Sequence, residues 1–236
     1  MRDFNADEMQ TIKETTANHQ VEFELLATLV NFYIHGLSQA DSLDEQNSDT
    51  HWVWLLLLTR SFHSLRCSIS LMQKGYYAQT IALLRMITEA YFLCGNVDKD
   101  ESIANAILRN KPDGQDGKTR FDYKKLATKM DALVIYDNIY SGECEFSHFT
   151  NLSASILAKE VDERSLELVT IPHYDKAMFM ACCDLSLRNG VLMIEFMEKL
   201  LSDLSETKVN NWREQSINGI HEIEDWLRKL KAEYGY

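Results

Sequence analysis

The chain has 236 residues, 45% of them hydrophobic, and its 36 acidic against 24 basic residues give a formal net charge of −12. That length allows one large core. The charge repels a phosphate backbone and an anionic membrane over most of the surface, which sets nucleic acid and lipid aside as expected partners. Nine Gly and two Pro leave few places for sharp turns, so the expectation is an all-α, single-domain bundle of six or seven helices over 1–236, with one short strand near 164–171.

The first ten residues, MRDFNADEMQ, are acidic where a secretory signal is basic and then apolar. No apolar run approaches bilayer length; WVWLLLL at 52–58 stops at Thr59 and Arg60. The five cysteines, Cys67, Cys94, Cys144, Cys182 and Cys183, are odd in number, lack C-x-x-C spacing and include an adjacent pair. They read as free thiols packed as small hydrophobes, and a reducing cytoplasm is the expected location.

In chain order, Asn5 with Glu8 three residues on forms a capping-box pattern, opening a helix that should run to about Ala40. The acidic loop DSLDEQNSD at 41–49 follows, and Asp49 is placed to cap a helix through about Lys74. On it Trp54, Leu58, Phe62, Leu65, Ile69 and Met72 share one face, with Arg60, Ser64, Cys67, Ser70 and Lys74 on the other. Gly75 separates it from GYYAQTIALLRMITEAYFLCG at 75–95, which is apolar nearly all round and so reads as a central helix. A short helix over Asp100–Arg109, a Gly- and Pro-bearing loop at 111–118, and a helical pattern from Thr119 to about Phe149 with a break near Gly142 come next. The stretch 158–172 lacks helical periodicity. Two long helices close the chain, about Tyr174–Ser205 and Lys208–Glu233, the latter with a stripe of Ile220, Ile223, Leu227 and Leu230.

Two charges interrupt the central helix. Arg85 and Glu89 are four residues apart, hence neighbours, and Ala78, Ile81, Ala82 and Phe92 around them predict a largely desolvated ion pair. Burying two charges costs several kcal/mol per ion unless both are hydrogen-bonded, so the pair is either a polar network that fixes helix register or the wall of a binding site. A second cluster, Tyr136, Tyr140, Cys144 and His148, recurs at four-residue intervals with Asp137 and Ser147 beside it. The Arg85–Glu89 pair is expected to face this helix. Arg85, Glu89, Tyr136, Tyr140, Cys144 and His148 are the candidate ligand-binding residues.

Gly75, Tyr76, Thr80, Leu83, Leu84, Arg85, Glu89 and Ala90 form a pattern similar to G-Y-x-x-x-A-x-x-L-L-R-x-x-x-E-A, found in a family of uncharacterised bacterial all-helical proteins, with Thr80 in place of the usual Ala. Tyr140, Cys144 and His148 resemble that family's Y-x-x-x-S-x-x-x-H, with Cys144 replacing the small hydroxyl residue. The resemblance covers about residues 50–155 and implies a helical fold with a shared polar site. More distantly the chain resembles HEPN-type bundles, which include dimeric, metal-independent RNases of toxin and phage-defence systems. Their Arg followed four to six residues later by His is missing here: Arg60 is too close to His63, and Arg164 and Arg213 are too far from His173 and His221.

Other chemistry lacks an anchor. Glu145 and His148 make a single Glu-x-x-His, half of a di-iron site, so no metal or other cofactor is expected. No G-x-S-x-G elbow or P-loop occurs. The function expected is a non-catalytic binding or interaction module, homodimeric, with an unidentified protein or small-molecule partner. The alternative is an HEPN-like RNase in which Arg85, Glu89, Tyr140 and His148 are catalytic, His148 as acid/base and Arg85 stabilising the phosphate charge.

Overall fold

A computed structural model of the chain describes residues 4–40, 48–108, 121–147, 158–162, 165–168 and 172–234, with backbone alone for 158–168 and Tyr234. The helices, in chain order, are α1 (Phe4–Asn18), α2 (Gln20–Gln39), α3 (Asp49–Gln73), α4 (Tyr77–Cys94), α5 (Glu101–Leu108), α6 (Tyr123–Lys129), α7 (Leu133–Ile135), α8 (Ser141–Ser147), α9 (Lys176–Leu192), α10 (Ile194–Leu204) and α11 (Glu206–Tyr234). A π-helical turn, Tyr136–Tyr140, joins α7 to α8. The all-α expectation holds, with more helices among the described residues than the six or seven foreseen. A strand at Ser165–Leu168 does form, and it pairs antiparallel with a second at Ala158–Asp162, Ala158 lying opposite Leu168. The loops expected at 41–49 and 111–118 lie, but for 48 and 49, outside the described residues.

Three expected long helices are divided. The first breaks at His19, whose φ of −134° and ψ of 41° leave the helical region. Tertiary contact explains this: the buried imidazole stacks on Phe179 with centroids 3.9 Å apart and lies 3.0 Å from the Tyr174 hydroxyl. The helix expected over about Tyr174–Ser205 breaks at Met193, which lies fully buried between α9 and α10. The helical pattern after Thr119 breaks at Asp131, with φ of 56°, not at Gly142, which sits inside α8. Asp is among the few residues that adopt that backbone readily. The span of α9 and α10, Lys176–Leu204, contains a window apolar enough to cross a bilayer by length and composition alone, and 44% of that window is buried inside the bundle, as in a core helix.

Capping differs as well. Asn5 lies inside the first turn of α1, and the Glu8 carboxylate instead accepts a 2.6 Å hydrogen bond from Tyr76 and pairs with Lys74 at 3.3 Å. Ser48, not Asp49, caps α3 by accepting from the His51 backbone N–H. Gly75 closes α3 in the left-handed region, φ 84°, where a β-carbon would come within 2.5 Å of the His173 carbonyl oxygen.

The core is one contiguous cluster to which α2, α3, α4, α9, α10 and α11 all contribute fully buried side chains, among them Leu29, Leu58, Phe92, Phe179, Phe196 and Trp212. Each such side chain contributes about 1.5–3 kcal/mol when removed from water. As the all-round apolar pattern implied, α4 is central, packing on α3, α6, α8 and α9, and only Gln79 along it is exposed. Of the polar face expected on α3, Arg60, Cys67 and Ser70 are exposed and Ser64 is buried; Ser61 and Ser68 are buried as well, and the Ser68 carbonyl accepts from Thr80 of α4. Small hydroxyl residues allow these two helices a close approach.

Candidate functional site

The middle of α4 meets the π turn and α8 on one side and α9 on another. A π turn carries one extra residue within a helical run and is frequent where function needs side chains re-aimed. Here it points Tyr140 and Glu143 at α4. The Arg85 Nε donates to Glu89 Oε1 at 3.0 Å, and the Tyr140 hydroxyl donates to the same oxygen at 3.3 Å. The Tyr123 phenol, from α6, also faces Glu89. Arg85 and Glu89 therefore do face the Tyr140 helix.

They are not sealed. Arg85 is 26% and Glu89 16% exposed, so the largely desolvated pair expected from the sequence is a half-buried one at the edge of the core. The reason is positional: Ala78 and Ala82 beside them are too short to cover a guanidinium. The sealed carboxylate is Glu143, 1% exposed, one helix away. Its Oε2 lies 2.8 Å from Thr88 Oγ1 and its Oε1 accepts from Asn189 Nδ2 at 2.6 Å. The same Asn189 amide donates to the Leu84 carbonyl at 3.2 Å. Burial pushes the Glu143 carboxyl up to about 7, helped by neighbouring Glu89 and opposed by the hydrogen bonds from Asn189 and Thr88 and by Arg85.

The remaining candidates divide. Cys144 sits against the Tyr140 phenol near Arg85; burial raises its thiol above the ordinary value, with Tyr140 and Arg85 opposing. Tyr136 joins an aromatic wall instead of the ion pair, its ring 6.3 Å from Phe92 and 5.3 Å from Tyr140. Burial likewise raises the Tyr140 and Tyr123 phenols, with Glu89 adding to both. His148 lies outside the described residues. Among the described residues, no three His, Cys, Asp or Glu side chains gather to hold a metal ion.

Sequence reasoning missed Thr88, Tyr123 and Asn189. Asn189 carried little signal, since it follows Arg188 near the C-terminal end of α9 and nothing local marks its carboxamide as a buried one that needs partners. Thr88 carried none, because threonine in a helix satisfies itself on its own backbone. A separate cleft of about 450 Å³ lies between α9 and α11, lined by Lys176, Met180, Asp184, Leu185 and Leu230 among others. It is lined by none of the polar residues around Arg85 and Glu89. No protein-family model, curated protein or solved structure matches the chain.

Proposed function

We propose that this protein is a non-catalytic binding or interaction module, a single-domain helical bundle whose ligand or partner meets the Arg85–Glu89 pair at the edge of the core. The observation that carries this reading is the division of labour between two carboxylates. Glu143 is sealed and tied to Thr88 and Asn189, whereas Glu89 is oriented by Arg85 and Tyr140 and still reaches solvent. A partly exposed, pre-oriented pair suits recognition, since little side-chain entropy is left to lose on binding.

Catalysis is the weaker reading on chemical grounds. A nucleophile or general base at neutral pH needs a lowered or matched pKa and access to substrate; here burial raises the Cys144 thiol and the Tyr123 and Tyr140 phenols, and Glu143, raised to about 7, is sealed. The HEPN-like RNase remains the alternative, and its test is direct. The purified protein, incubated with RNA in the presence of a chelator, should leave the RNA intact. Cleavage that is lost in both Arg85→Ala and His148→Ala would replace the binding reading with the enzymatic one.

We further propose a cytoplasmic, bacterial homodimer. The five cysteines are free, three of them buried, which fits a reducing compartment. Light scattering at micromolar concentration should give twice the chain mass; a monomer throughout that range would remove the dimer from this account.

A further inference from the structure

Three polar groups from three helices meet around Thr88. Its Oγ1 lies 2.8 Å from Glu143 Oε2 and 3.3 Å from Asn189 Oδ1. All three residues are buried, at 0–1% exposure. The orientation of the Asn189 amide is fixed, because its Nδ2 donates to both the Leu84 carbonyl and Glu143 Oε1. Oδ1 therefore turns to Thr88 as an acceptor.

A hydroxyl has one proton to give. With Glu143 ionised, Thr88 would face two acceptors and could satisfy only one, leaving Oδ1 of a sealed amide or one carboxylate oxygen against a lone pair. With one proton on Glu143 Oε2 the count closes. Glu143 donates to Thr88, Thr88 donates to Asn189 Oδ1, and Asn189 donates back to Glu143 Oε1, forming a ring of three hydrogen bonds. Buried polar groups are satisfied in nearly every native structure, so the protonated arrangement is the one this geometry fits.

We propose that Glu143 is a buried proton-binding site: the folded protein holds a proton on Glu143 Oε2 that joins α4, α8 and α9 through Thr88 and Asn189, and its loss retunes the neighbouring Arg85–Glu89 pair. Among the described residues, the charged and titratable groups around Glu143 are Arg85 and Glu89 on α4 and Cys144 on its own helix. α9 presents the neutral Asn189, whose chain neighbour Arg188 is already paired with Asp184 at 2.8 Å. Ionised Glu143 would stand as a second carboxylate beside Glu89 and compete with it for Arg85. The carboxyl's upward displacement to about 7 by burial agrees with the proton count and places the change near neutrality.

That pH governs what the Arg85–Glu89 pair binds rests on the binding reading above; the protonation does not. The test is a carbon-detected NMR titration of the side-chain carboxyl groups in the full chain, with Glu143 assigned by its absence in Glu143→Gln. Expected is an inflection near neutrality for Glu143, moving to lower pH in Glu89→Gln, which removes a like charge, and to higher pH in Arg85→Gln, which removes an opposite one. An inflection in the ordinary carboxylate range, about 4.3, would overturn the proposal. A near-neutral inflection that neither variant moves would overturn the coupling to the pair. Should Glu143→Gln fail to fold, Thr88→Val supplies the assignment by perturbing the same carboxyl resonance.

Discussion

Single residues in this protein act through protons more than through charges. Between the ordinary glutamate value of 4.5 and about 7 the folded chain binds a proton at Glu143 that the unfolded chain has released. Stability therefore falls as pH rises across that window, by roughly 3 kcal/mol if the whole displacement is expressed. Glu143→Gln keeps the shape and the neutral state. Its melting temperature relative to wild type should rise from about pH 4.5 to about pH 7 and level off above; a constant difference would mean that Glu143 is ionised throughout. His19 works in the opposite sense. Burial against Phe179 and Tyr174 lowers its pKa below 6.5, with Glu22 opposing, so the neutral ring is the native one. Its contribution is present above pH 6.5 and is lost as pH drops below that value. Thermal melts of His19→Gln should show a shallower loss of stability on acidification than wild type, and an unchanged acid slope would assign that loss elsewhere. Because the two groups oppose each other just below pH 6.5, only the variants separate them.

At the scale of elements, the breaks place the site. Gly75 turns the chain from α3 into α4, so that the two helices lie side by side with Trp54 Nε1 donating to the Cys94 carbonyl at 3.0 Å. Gly75→Ala must force a β-carbon into the His173 carbonyl and hold φ at 84°. The expected loss is about 1–3 kcal/mol in denaturant melts, and a neutral result would show that the turn relaxes freely. On the far side of α4, the π turn and the helix break at Met193 set the register in which Glu143 and Asn189 meet Thr88. The break at His19 serves α2 in the same way, letting Tyr33 donate to the Gly190 carbonyl at 3.2 Å.

At the scale of the whole molecule, the all-α class and the centrality of α4 were legible because composition and an all-round apolar pattern report burial directly. So was the meeting of Arg85–Glu89 with Tyr140, which four-residue spacing on two helices made accessible to reasoning. What could not be read locally were the turns at His19, Asp131 and Met193. His19 leaves helical geometry where it packs on Phe179 and Tyr174, Asp131 enters the left-handed region, and Met193 keeps helical angles while its N–H turns to the Gly190 carbonyl three residues back; none of the three is Gly or Pro. The degree of burial at the pair was also out of reach, since the reach of the surrounding alanines is a property of the packed helices and not of their order. The sealed acid, Glu143, was hidden by the same logic: its partners are 55 and 46 residues away.

The most direct test of this account is the stability of Arg85→Ala measured by chemical denaturation. If the pair is a partly exposed recognition element, removing the guanidinium should cost only about 1 kcal/mol, the upper end for solvent-accessible pairs. A loss of 3–5 kcal/mol, typical of breaking a sealed ion pair, would contradict it and make Arg85 and Glu89 a device for holding the helices in register.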